Sequence, residues 1–251
     1  TPPVTSTASV LTINESPEII TNPIAQIVCE GQPVTFTVNA GATTGATYQW
    51  RYNTANIGGA NSSSYTIAST VALTDAGNYD VVVTGTCAGS VTSNVALLTV
   101  NTSPAITVQP VASQTVCEGS AANFAVTATG TGLAYQWKKN GVDIGGATSN
   151  TYSIPVTATA DGGTYTVVVS GTCTPPVTST ASVLTINESP EIITHPIAQT
   201  VCEGQPVTFT VNAGVTTGAT YQWRLNGGNI AGANSSSYTI ASTVALTDAG
   251  N

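Results

Sequence analysis

The chain repeats itself almost letter for letter: residues 1–78 return as 174–251, offset by 173 positions, with differences only at 22, 27, 42, 52, 54, 55 and 58. Inside this long repeat sits a shorter one. The tripeptide YQW ends at Trp50, Trp137 and Trp223, spaced 87 and then 86 residues apart. A sequence of this kind specifies an array of similar modules, each touching mainly its neighbours, so its first implications are reach and mechanics rather than chemistry. The chain opens inside one module and closes inside another. It therefore reads as part of a longer polypeptide, and the absence of a leader peptide says nothing of the parent.

Charged residues make up 6% of the chain, against about 25% in an average soluble domain. Hydrophobic residues are 41% and alternate with Thr and Ser, as in VTFTVNA or YTVVVSG, which is the pattern of a strand with one buried face. The formal net charge is −8, with Arg51, Lys138, Lys139 and Arg224 as the whole basic complement. That leaves no electrostatic footprint for nucleic acid or anionic lipid.

The second module has the clearest punctuation. AITVQP and ASQTV read as short edge-like strands broken at Pro110; AANFAVTA follows Gly119; YQWKK ends at the hairpin dipeptide Asn140-Gly141; NTYSI, DGGTYTVVVSG and VTSTASVLTI complete the set. No segment sustains a helical period. Seven or so short strands at this spacing predict an all-β antiparallel sandwich.

These residues resemble the immunoglobulin-like fold: G-x-x-V-T-F-T-V, then YQW, then L-x-D-A-G-x-Y-x-V, then A-x-L-x-V. The resemblance implies that Trp50, Trp137 and Trp223 are core tryptophans of strand C and that Tyr79 and Tyr165 are tyrosine corners. It departs from the family at the two cysteines of strands B and F, replaced by Val38 and Val81 in one module and Val126 and Val167 in the next, with Val211 in the third. The tandem combination of VCEG, YQW-x-x-NG, DAG-x-Y and TG-x-C further resembles the repeats of giant secreted surface proteins of Bacteroidota, including gliding adhesins exported by type IX secretion. That resemblance implies a cell-surface, extracellular stalk or adhesin. Predicted divisions are residues 1–16, the last strand of a preceding module; 17–102 and 103–188, two whole modules; and 189–251, a third truncated before its last two strands.

The five cysteines recur at equivalent places, Cys29, Cys117 and Cys202 in VCEG, and Cys87 and Cys173 in TGTC. With a single His and no metal-ligand spacing, they read as disulfide formers in an oxidising compartment. Counting along the strands from Val38 and Val81 puts Cys29 and Cys87 at opposite ends of one module. At about 3.3 Å per residue they are tens of ångströms apart, whereas a bond needs Cα atoms within about 7 Å. The expectation is therefore a Cys29–Cys173 bond between modules, with Cys87 pairing upstream of this sequence and Cys117 and Cys202 downstream; free thiols are the competing expectation.

Other residues offer little chemistry. Asp75, Asp161 and Asp248 read as caps of loop amides, and Glu30, Glu118 and Glu203 as solvated turn residues. His195 is replaced by Asn22 in the matching copy, so no repeated catalytic base exists, and neither an enzyme nor a cofactor is expected. Tyr52 is the candidate for an exposed sugar platform. The leading expectation is a structural rod whose partners are the neighbouring modules and other copies in a filament, with no membrane insertion; a binding module using its loops for glycan or protein is the alternative, and its ligand is unspecified.

Overall fold

The computed structural model describes residues 1–244 and 247–250; Asn251, the end of the predicted third module, lies outside the described residues. In the first copy the strands are β1 (Gln26–Cys29), β2 (Val34–Thr37), β3 (Thr47–Tyr52), β4 (Ala55–Asn56), β5 (Ser64–Ile67), β6 (Gly77–Thr84), β7 (Ser90–Thr92) and β8 (Ala96–Asn101), with one helical turn, α1 (Ala72–Asp75). One sheet runs β1-β8-β6-β3-β4, with β7 also paired to β6, and the other is β2-β5. Alternation makes the sandwich: Val34 and Phe36 of β2 are buried while Thr35 and Thr37 face water. Val38, Trp50, Tyr79, Val81, Ala96 and Leu98 join them in one core cluster. Trp50 is opposite Val81 in the β3–β6 register, and its indole N–H donates to the Ser62 carbonyl at 2.9 Å. Each fully buried apolar side chain contributes roughly 1.5–3 kcal/mol, so apolar packing stands where the family has a B–F disulfide.

The second copy builds β9 (Ala105–Val108), β10 (Ser113–Cys117), β11 (Ala122–Ala125), β12 (Thr127–Thr129), β13 (Ala134–Lys139), β14 (Val142–Asp143), β15 (Thr151–Ile154), β16 (Gly163–Ser170), β17 (Val177–Thr178) and β18 (Ser182–Asn187). β9 pairs with β12 and β10 with β18, so the chain changes sheet between them, where Pro110 lies. Asn140 at φ +50° and Gly141 at φ +84° make the expected hairpin turn. The predicted final strand is two strands instead of one: the Ser179 hydroxyl accepts the Val167 amide at 3.0 Å, and a side chain takes the place of a ladder bond. Trp137, Val167 and Tyr165 are fully or almost fully buried, and Val126 is 2% exposed.

In the third copy β19 (Val207–Thr210) pairs with β22 (Ser237–Ile240), and β20 (Arg224–Leu225) with β21 (Gly228–Asn229). Trp223, expected in the core, is only partly buried, as is Val211. Trp50 and Trp137 owe their burial to the strands β6 and β16, whose counterparts this sequence does not contain. Residues 1–16, expected as the last strand of a preceding module, carry no regular secondary structure. Leu11 is 84% exposed, whereas Leu184, the same residue in the identical stretch, is 2% exposed. The difference is partners: β18 lies between β10 and β16, and a strand is stable only where neighbours complete its ladder.

The chain forms two compact units. One holds Thr1–Thr107 with Thr127–Tyr135 and Val168–Thr178; the other holds Val108–Val126, Gln136–Val167 and the residues from Ser179 onward. The first unit thus includes two segments of the second copy, which carry Thr131 and Cys173.

Candidate functional site

Cys29 ends β1, which runs parallel to β8 and pairs Cys29 with Asn101 in register. Beyond Asn101 the chain leaves the first sandwich through Thr102, Ser103 and Pro104. There the Thr102 amide donates to the Thr131 hydroxyl at 3.0 Å, and the Thr131 amide donates back to the Thr102 carbonyl at 3.1 Å. The Thr172 amide in turn donates to the Thr131 carbonyl at 2.8 Å. These bonds satisfy backbone groups that a linker would otherwise leave to water. They also bring Cys173, 1% exposed, against the Asn101 carbonyl, with 3.6 Å between sulfur and oxygen. Cys173 is disulfide-bonded to Cys29, the Cα atoms 5.8 Å apart.

Close approach at this site requires glycine. A Cβ at Gly171 would lie 2.9 Å from the Thr131 carbonyl oxygen, and one at Gly132, whose φ is +63°, would lie 2.5 Å from the Thr172 hydroxyl. The T-G dipeptides at 44–45, 131–132 and 217–218, together with T-G-T-C, were the sequence signal for this arrangement, which reading by strand periodicity passes over.

The same arrangement recurs. Glu15 donates its amide to the Thr44 hydroxyl at 2.9 Å, Thr86 donates to the Thr44 carbonyl at 2.8 Å, and the Cys87 thiol donates to the Asn14 carbonyl at 3.3 Å. Glu188 donates to the Thr217 hydroxyl at 2.9 Å. Cys87, Cys117 and Cys202 are free thiols. Cys117 pairs in register with Asn187 as Cys29 does with Asn101.

The remaining expected residues are structural. The Tyr79 hydroxyl donates to the Asp75 carbonyl at 2.8 Å and the Tyr165 hydroxyl to the Asp161 carbonyl at 2.7 Å. Burial raises both phenols, Tyr165 to about 12, with Tyr152 and Asp161 adding to the effect there. Asp75, Asp161 and Asp248 accept the amides of Val71, Ala158 and Val244. Glu30 does more than a solvated turn residue, accepting the Ala72 amide at 3.3 Å.

Tyr52 corrects the sugar-platform expectation. It lies two residues beyond Trp50 on β3, hence on the inward face, where its ring centroid is 5.2 Å from that of Tyr79 and its hydroxyl donates to the Ala76 carbonyl. An ion pair absent from the sequence reading, Arg51–Asp80, is bidentate at 2.6 and 2.9 Å. The Asp80 hydrogen bond holds the guanidinium above its ordinary value. Among the described residues no cluster of three or more His, Cys, Asp or Glu side chains is placed to hold a metal ion, and no helix is long and apolar enough to cross a membrane.

Fold and junction together define immunoglobulin-like sandwiches in tandem. Residues 16–84 match the sequence model of the immunoglobulin domain. Among solved structures, a three-domain titin fragment, I67–I69 in an E-to-A variant, is 16% identical with a TM-score of 0.74, covering 92% of this chain and 90% of that one. The I-band fragment I67–I69 of titin is 15% identical, also at 0.74, covering 93% and 91%. The two-domain DIP-gamma IG1+IG2 structure is 14% identical at 0.54, covering 69% and 99%. At such identities the likeness is one of fold. No curated protein matches the sequence.

Proposed function

We propose that the chain is a structural repeat region of a long extracellular stalk or surface filament, with modules at 17–102, 103–188 and 189–251 stiffened by disulfides between them. The observation that carries this reading is the Cys29–Cys173 bond, which ties the first copy to the second across 144 residues. It gives the junction a second covalent attachment beside the linker. Near-identity of the first and third copies supports the reading, since uniform mechanics benefits from repetition and a unique binding site does not. Cys87 then pairs with a module upstream, and Cys117 and Cys202 with modules downstream. In its finer form the reading is a cell-surface protein of the gliding-adhesin type exported by type IX secretion. Its partners are the neighbouring modules and other copies in a filament. Stretching the chain by atomic force under oxidising and reducing conditions tests it. Reduction is expected to lengthen the extension released on unfolding, because residues 30–172, shielded while the bond carries the load, then come under force; identical force–extension traces would contradict a load-bearing staple.

A second reading, an adhesin segment binding glycan or protein through its loops, has one observation in its favour. Four of the seven differences between copies, at 52, 54, 55 and 58, fall along one stretch, and the structure exposes Asn53, Thr54 and Ala55 at a hairpin there. A glycan array probed with the chain and its Thr54 and Ala55 variants separates the two readings, because saturable binding lost on substitution belongs only to the second.

A further inference from the structure

Thr131 is placed between the two halves of the disulfide. On one side it exchanges two bonds with Thr102, which follows Asn101, the register partner of Cys29. On the other its carbonyl accepts the amide of Thr172, which precedes Cys173. A continuous path of short bonds thus leads from one cysteine to the other through one threonine. The path does not depend on the disulfide. Thr44 makes the same bonds to Glu15 and Thr86, and there Cys87 rests as a free thiol on the Asn14 carbonyl. Thr217 holds Glu188 in the same way.

We infer that Thr131 is a positioning residue for oxidation: its hydroxyl holds the linker so that Cys173 is presented to Cys29 before any bond forms, and the disulfide locks a junction already set. This inference deepens the staple reading and rests on it. The chemistry is thiol–disulfide exchange with a low-molecular-weight disulfide. One cysteine thiolate attacks glutathione disulfide and releases one glutathione thiolate; the second cysteine thiolate displaces the other. Two protein thiols are oxidised and one glutathione disulfide is reduced, and the two protons lost by the protein thiols pass, by way of solvent, to the two released glutathione thiolates. What the protein contributes is the effective concentration of one thiol at the other, which falls when the junction is loosened.

The test is the equilibrium constant for the Cys29–Cys173 bond in glutathione buffers, using the full chain with Cys87, Cys117 and Cys202 changed to Ser. Thr131→Val keeps the shape but removes the acceptor of the Thr102 amide. It is expected to lower the constant roughly threefold to tenfold, the scale of one hydrogen bond. Thr131→Ser, which retains a hydroxyl, is expected to stay within about twofold. Thr44→Val, the same change at the equivalent place away from this disulfide, is expected to leave the constant unchanged. Urea midpoints of the reduced proteins show that each variant is folded. An unchanged constant in Thr131→Val, or an equal fall in Thr44→Val, overturns the inference alone. A parent chain that forms no Cys29–Cys173 bond overturns the staple reading and the inference with it.

Discussion

Cys29 and Cys173 meet at the Asn101 carbonyl: Cys29 is its register partner in the parallel β1–β8 ladder, and the Cys173 sulfur is 3.6 Å from its oxygen. The disulfide therefore closes a loop through the whole of β2 to β16. Closing a loop of this length removes denatured-chain entropy worth on the order of 5 kcal/mol in the chain-entropy treatment, of which about 2–4 kcal/mol is typically realised. Replacing both cysteines with Ser is expected to lower stability by about that amount. Urea unfolding followed by tryptophan fluorescence measures it, and an unchanged midpoint would show that the bond does not constrain folding.

Alkaline pH reports on the tyrosine corner. The Tyr165 phenol is raised by burial, and then by Tyr152 and Asp161, to about 12. A group whose folded pKa exceeds its unfolded value contributes fully below the unfolded one, here about 10. That contribution is lost as pH rises from there through the folded value. Tyr165→Phe is expected to flatten the fall in urea midpoint between about pH 10 and pH 12, and an unaltered slope would assign that fall to other groups.

The Arg51–Asp80 pair has no counterpart in the second copy, where Lys138 and Thr166 take its place. Its side chains are 25% and 10% exposed, so solvent screens it in part. Arg51→Leu is expected to destabilise the first sandwich by about 1–3 kcal/mol because it leaves Asp80 without its bidentate partner. Thermal unfolding of Arg51→Leu, Asp80→Asn and the double variant measures the coupling; strictly additive effects would refute it.

Thr54 sits at φ +73°, a left-handed conformation that is costly for a β-branched side chain. The third copy has Gly227 there, at φ +82°. Thr54→Gly is expected to raise stability by about 0.5–1 kcal/mol, the relief of strain exceeding the added freedom of the unfolded chain. A lower urea midpoint in the variant would show that the turn carries no such strain.

Much of this architecture is legible in the chain. Val34, Phe36 and Val38 declare a buried strand face by alternation, Trp50 and Tyr79 declare their places by motif, and the separation of Cys29 from Cys87 directs Cys29 toward another module. What was not legible depends on partners remote in sequence. Leu11 and Leu184 lie in identical stretches of sequence yet differ in burial, because a strand exists only beside its neighbours. Trp223 shows the same limit. The Thr131 latch joins two loops and a linker, none of which carries a periodic pattern, and the Arg51–Asp80 pair emerges only when β3 and β6 are in register. Tyr52 was legible and misread, since counting two residues from Trp50 places it inward.

Non-reducing peptide mapping of the intact chain tests the central claim, that cysteines join neighbouring modules. The predicted result is a linked pair of peptides containing Cys29 and Cys173, with Cys87, Cys117 and Cys202 open to alkylation. Recovery of a Cys29–Cys87 peptide, or quantitative alkylation of all five cysteines without reductant, would contradict it.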